Sequence, residues 1–132
     1  MMAIFDSNII IDHLRGIPEA KKILEDYSGN EKIGISSITA YELMTGTNTI
    51  KEEEGLSLFL LHSIVYPLDF KAVCESASIY KQLRRRGFQL SMADTLILGV
   101  AKANDETFVT YDKGFENAYE KLILISTKDN KK

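Results

Sequence analysis

Cysteine occurs once in the 132-residue chain, at Cys74, so no internal disulfide can form, and no Cys/His cluster offers a zinc site. Long apolar runs are missing as well, since nothing approaches the roughly 20 residues needed to cross a bilayer. The start, Met1-Met2-Ala3-Ile4-Phe5-Asp6, lacks the basic then apolar order of a secretory leader. A cytoplasmic protein without membrane contact is the expectation. Positive charge is short too, with 16 Lys and Arg against 19 Asp and Glu and a formal net charge of -3. That is the wrong sign for binding nucleic acid through overall charge, so cations or a local basic patch would have to bring an anionic ligand in. The two histidines, His13 and His62, stand too isolated to suggest a catalytic imidazole, and His13 beside Asp12 is expected at the surface.

What remains is ordinary globular composition, 45% hydrophobic and 27% charged, without repeats, linkers or low-complexity segments. The length suits one domain with one hydrophobic core, placed at residues 1–126. Residues 127–132 carry no apolar anchor and are expected to form a mobile tail.

Periodicity alternates between strand and helix, which favours a parallel sheet of four or five strands covered by helices. Short apolar runs predict strands at 2–5, 33–36, 64–67, 107–110 and 122–125. Between them, helical spacing predicts a short helix over 9–14, then one opened by Pro18 and broken at Ser28-Gly29-Asn30. Thr39-Ala40-Tyr41-Glu42 has the form of a capping box for a third helix ending near Gly46 or Thr47, and a fourth spans 53–62. Asp69 can cap a long fifth helix in which Val73, Ala77, Tyr80 and Leu83 form the expected buried stripe, with Gly87 as its stop. Cys74, among apolar neighbours there, reads as core filler. Ser91-Met92-Ala93-Asp94 opens the last helix, which runs to about Asn104.

In an open parallel sheet, ligands bind outside the carboxyl ends of the strands. Asp6 directly follows the first strand and Asp112 lies two residues past the fourth, while Glu42 and Asp94 stand in the first turns of helices expected near the same edge. Each has a plainer reading: Asp6 as a helix cap, Glu42 and Asp94 as answers to Thr39 and Ser91, Asp112 as an Asx turn. If all four converge, like charges about 5 Å apart repel by roughly 3 kcal/mol at an effective dielectric of 20, so the six pairs cost on the order of 20 kcal/mol when ionised. That exceeds the roughly 5–15 kcal/mol that stabilises a typical domain. The cluster must then hold protons, cations or both, and all-oxygen ligands select Mg²⁺ or Mn²⁺ over zinc. Such ions would also turn an acidic pocket into one that attracts phosphate.

The runs Phe5-Asp6-Ser7-Asn8-Ile9-Ile10, Ile38-Thr39-Ala40-Tyr41-Glu42-Leu43, Leu90-Ser91-Met92-Ala93-Asp94 and Val109-Thr110-Tyr111-Asp112-Lys113-Gly114-Phe115, in this order, resemble the PIN domain, and most of all the VapC-type toxins of toxin-antitoxin pairs. The resemblance covers roughly residues 1–126. It implies an α/β/α sandwich and a Mg²⁺- or Mn²⁺-dependent endoribonuclease. Asp6, Glu42, Asp94 and Asp112 would hold the metal directly or through water, with Thr110 and Asn8 helping to order the site. It further implies an RNA substrate, a homodimer, and a small antitoxin whose tail occupies a groove. Alternatives within this reading are a PIN-like module that binds RNA or protein without cutting, and a solitary RNA-processing nuclease. A haloacid dehalogenase-type phosphatase would need a second Asp where Asn8 stands, and a response-regulator receiver would need an acid pair beside Asp6.

Arg84-Arg85-Arg86, with Lys81 one turn earlier, is the basic cluster of note. It either answers the negative end of a helix dipole or contacts an RNA backbone or antitoxin. Lys51-Glu52-Glu53-Glu54 reads as a solvated helix start. Tyr41 and Phe115 flank site residues and could stack on a base, although core packing is the simpler account. Asp12 and Asp69 are spare carboxylates.

Overall fold

The computed structural model describes residues 3–29 and 31–126, so Met2 and the expected tail at 127–132 lie outside the described residues. The chain runs β1 (Ala3–Phe5), α1 (Ser7–Leu14), α2 (Pro18–Ser28), β2 (Ile33–Ser36), α3 (Ser37–Thr45) and α4 (Ile50–Leu61). It continues β3 (Ser63–Tyr66), α5 (Phe70–Arg85), α6 (Met92–Ala103), β4 (Thr107–Thr110), a 3₁₀ turn at Lys113–Phe115 and β5 (Leu122–Leu124). The five strands form one parallel sheet in the order β3-β2-β1-β4-β5.

The central strands β1, β2 and β4 are buried on both faces, as parallel strands covered by helices require, and successive residues feed opposite cores. Ile4 and Phe108 join Ile79, Leu83, Ile97 and Leu98 of α5 and α6 on one face. Phe5 and Val109 join Ile9, Ile10, Leu24, Leu43 and Leu56 of α1 to α4 on the other. The result is the expected three-layer α/β/α sandwich, with a core on each side of the sheet rather than one.

Several local expectations shift. The cap of α3 is Ser36, whose hydroxyl accepts from the Thr39 N–H at 3.0 Å, so the helix follows β2 without a loop and Glu42 falls in its second turn. The capping box lies instead on α4, between Thr49 and Glu52, which starts that helix at Ile50 rather than 53. The fifth helix is turned from the expected stripe. Ala72, Ser76, Ile79 and Leu83 are buried, whereas Val73, Ala77, Tyr80 and also Cys74 are exposed. The reason is the close approach of α6, where a Cβ on Gly99 would stand 2.6 Å from the Ala72 carbonyl oxygen. Only small residues fit at such a contact, so the small stripe wins over the larger one.

A second close approach ties the sheet together. The Tyr66 ring lies over β2 at Gly34, where a Cβ would meet it at 2.9 Å, and its hydroxyl donates to Glu106, just before β4, at 2.8 Å.

Candidate active site

In the strand order, β1 and β4 are neighbours whose onward connections leave in opposite directions, to β2 and to β5. This is the switch point at which an open parallel sheet presents a crevice. Asp6 stands at the carboxyl end of β1. Its backbone N–H donates to the Val109 carbonyl at 2.9 Å, and it caps α1 by accepting from the Ser7 N–H at 2.8 Å. Its second oxygen accepts from the Thr110 hydroxyl at 2.6 Å, across the crevice. Thr110 in turn accepts from the Asp112 N–H at 3.0 Å, so one buried hydroxyl fixes both a carboxylate and the loop that carries the next one.

Asp94 lies in the first turn of α6, where its N–H donates to the capping Ser91 hydroxyl at 3.1 Å. Asp112 accepts from the Gly114 N–H at 2.7 Å, the Asx turn of its plainer reading. Local capping and site membership are therefore compatible for Asp6, Asp94 and Asp112. Glu42 is half-buried on α3.

The electrostatics link these four acids. Burial raises the Asp6 pKa most, against the lowering effect of the Thr110 and Ser7 hydrogen bonds, and the charges of Asp94 and Asp112 add to the rise. Burial likewise raises Glu42, with Asp6 and Asp94 adding to it. Asp94 is raised by burial and by Asp112, with Ser91 opposing. The charges that raise these three carboxylates are those of other carboxylates in the set.

The donor set is all oxygen, without thiolate or imidazole, and its mutual repulsion calls for positive charge; both suit a hard divalent cation. Among the described residues, no three acidic, histidine or cysteine side chains are already placed to close around one ion. Asp6 and Asp94, with Glu42 and Asp112, are the residues that could hold one.

Asn8 is exposed in the first turn of α1 and hydrogen-bonds to none of the acids. Phe115 is core, packed edge-on against Phe108 with ring centroids 5.0 Å apart, whereas Tyr41 is exposed beside Glu42. Asp12 pairs with Tyr111, whose phenol is pushed up to about 12 by burial and by that carboxylate. His13 is half-buried against Phe59, and burial with the nearby Lys21 lowers its pKa. Arg84 sits over the Tyr80 ring at 5.5 Å and Arg86 donates to the Asn117 carbonyl at 3.0 Å, which fits the dipole and packing reading of the basic cluster.

One feature had no sequence counterpart. Helices α1, α3 and α4 enclose a mainly apolar groove of about 360 Å³, lined by Ile11, Leu14, Leu43 and Leu56 with Arg15 and Lys51, and it runs up to Glu42. Its small residues, Gly46 and Gly55, were the available signal.

The sequence model of the PIN domain matches residues 3–121. Ribonuclease VapC1 of Methanocaldococcus jannaschii is 34% identical over 93 residues, which are 70% of this chain and 62% of that protein. The match thus spans less than two thirds of that relative's length. VapBC2 of Rickettsia felis, solved bound to a DNA fragment from its promoter, superposes with a TM-score of 0.79 at 22% identity, covering 97% of this chain and 100% of the other. A toxin-antitoxin complex from Klebsiella pneumoniae gives 0.76 at 25% identity, covering 92% and 95%.

Proposed function

The chain belongs to the PIN domain family, and on that footing we propose that it is an endoribonuclease, the toxin of a toxin-antitoxin pair, hydrolysing RNA phosphodiester bonds in the cytoplasm with Mg²⁺ or Mn²⁺. The observation that carries this reading is the set of four carboxylates at the β1/β4 switch point, of which Asp6, Glu42 and Asp94 are pushed up by burial and by the charges of other acids in the set. We assign the metal to Asp6, Glu42, Asp94 and Asp112. A divalent ion held there would supply positive charge to the scissile phosphate and its leaving oxygen.

The chain's own groups prepare for this. Asp6 is fixed by two hydrogen bonds, from Ser7 and Thr110, so one carboxylate is oriented before any ion arrives. The Thr110 hydroxyl also holds the backbone of Asp112, which makes Thr110 a positioning residue for two acids. The helix N-termini at Asp6 and Asp94 favour negative charge, offsetting part of the repulsion. Asn8, exposed and unbonded to the acids, has room to meet substrate instead.

Purified protein incubated with single-stranded and structured RNA should cleave with Mg²⁺ or Mn²⁺ and stop with EDTA or on Asp94→Asn. Cleavage that persists in EDTA refutes the metal mechanism. Tight RNA binding without cleavage across several substrates would establish the binding-module alternative, although retention of all four acids speaks against it. For the partner, the apolar groove beside Glu42 suits the tail of a small antitoxin, in line with relatives solved as toxin-antitoxin complexes. Self-association as a homodimer completes the proposal.

A further inference from the structure

Two aromatic residues stand beside acids in the sequence, and the fold separates them: Phe115 is packed in the core, whereas Tyr41, next to Glu42, is 67% exposed. Helical geometry places its ring. At about 100° per residue, Tyr41 and Leu43 lie on opposite flanks of Glu42. Leu43 turns into the buried cluster and the apolar groove. On the Tyr41 flank, Ser37, one turn earlier, accepts from the Leu68 N–H at 3.0 Å, and Ile38 packs against the cluster built by α5 and α6. The ring therefore stands above the α6 side of the crevice, where the Asp94 charge reaches Glu42. Met44, one turn on, is 55% exposed, and Met92, two residues before Asp94, is 78% exposed. Exposed apolar side chains thus lie next to two of the four acids, on two different helices.

We propose that, given the ribonuclease reading above, Tyr41 is the stacking platform for an unpaired base of the substrate, with Met44 and Met92 as its apolar border, which narrows the substrate to single-stranded RNA. A phosphate held at the acids brings its nucleoside to a flank of Glu42, because ring and carboxylate are carried by adjacent residues. Only one flank offers a ring: among the described residues, the groove on the Leu43 flank is lined by aliphatic and polar side chains without an aromatic. Stacking on a π-face adds affinity without protein charge. That matters in a chain of net charge -3, whose basic cluster is engaged at Arg84 with Tyr80 and at Arg86 with the Asn117 carbonyl. Bases in a duplex already stack on one another, so an exposed ring selects unpaired bases over paired ones. Every base has a π-face, so the same ring discriminates weakly among the four.

Fluorescence tests it without relying on cleavage. The chain contains no tryptophan, so Tyr41→Trp places a single indole at the site. In an Asp94→Asn background with Mg²⁺, an adenylate hexamer should quench its emission saturably. A hexamer of abasic riboses with the same charge, and a fully paired RNA duplex, should leave it unchanged. In the cleaving enzyme, Tyr41→Ala should raise KM by roughly 5- to 150-fold with kcat nearly unchanged, the range spanned by loss of one base–aromatic stack. It should keep its circular-dichroism melt, because the ring is exposed. Tyr41→Phe should retain the wild-type KM, whereas a wild-type KM in Tyr41→Leu would show that apolar area suffices and overturn the platform. Unchanged emission with the hexamer, while wild type still cuts RNA, overturns the platform and leaves the nuclease standing. Quenching in a protein that cuts no RNA with any divalent ion does the reverse. An indole emission that moves to the blue with protein concentration alone would place a second copy on the ring and overturn the proposal too.

Discussion

Replacing Thr110 by Val removes the hydroxyl that binds the second Asp6 oxygen at 2.6 Å, while nearly preserving volume in a fully buried position. A hydrogen bond to an ionised group contributes about 1.5–3 kcal/mol, against about 0.5–1.5 kcal/mol for a neutral pair. Burial raises the Asp6 pKa above its unfolded value, so ionising this group in the folded protein costs stability. That cost sets in as pH rises through the folded pKa. The Thr110 bond lowers this pKa, so losing it costs more stability on the alkaline side than on the acid side. The expected loss is therefore about 1.5–3 kcal/mol at pH 7.5, falling to about 0.5–1.5 kcal/mol below the ordinary aspartate value of 3.8. For a domain of this size the larger figure corresponds to a Tm drop on the order of 5–12 °C. Urea melts in EDTA at both pH values measure it, and Thr110→Ser should restore the pH dependence. An equal loss at both pH values would show that Thr110 fills space without supporting an ionised Asp6, and the argument for its positioning role would fall.

Saturating Mg²⁺ should raise the Tm in differential scanning calorimetry, because an ion at 100 times its Kd contributes about 2.7 kcal/mol; Asp6→Asn should lose most of that gain, and an unchanged Tm would count against a converging acid set. Gly99→Ala should cost 3 kcal/mol or more, on the order of the larger overpacking penalties, since its Cβ would overlap Ser76 and the Ala72 carbonyl. Gly55→Ala, with nothing near its Cβ, should gain about 0.5–1 kcal/mol from helix propensity; chemical denaturation of the pair separates packing from propensity.

The strands and the order of the acids were legible because each strand is a short apolar run, β1 stops at Asp6 and β4 two residues before Asp112, and parallel pairing puts both stops on one edge. Asp6, Asp94 and Asp112 could be placed from chain position alone, and their capping bonds are those the neighbouring residues call for. The start of α3 was misread because Ser36 and Thr39 are both good caps three residues apart, and the choice between them depends on where β2 ends. The α5 stripe failed for a different reason. Hydrophobic size points to Val73 and Tyr80, whereas the tight contact with Gly99 of α6 selects Ala72 and Ser76, and that contact is a tertiary fact. The groove beside Glu42 was invisible because three helices build it, and no local pattern records their meeting.

The Asp6–Thr110 bond closes between residues 104 positions apart. During synthesis at about 5–20 residues per second, Asp6 waits roughly 5–20 s for the strand that completes its surroundings. Until β4 slots in beside β1, the nascent chain has its first acid but neither the hydroxyl that orients it nor Asp112. The acidic pocket is thus timed as well as placed: it comes into being only once the chain has been made through Asp112.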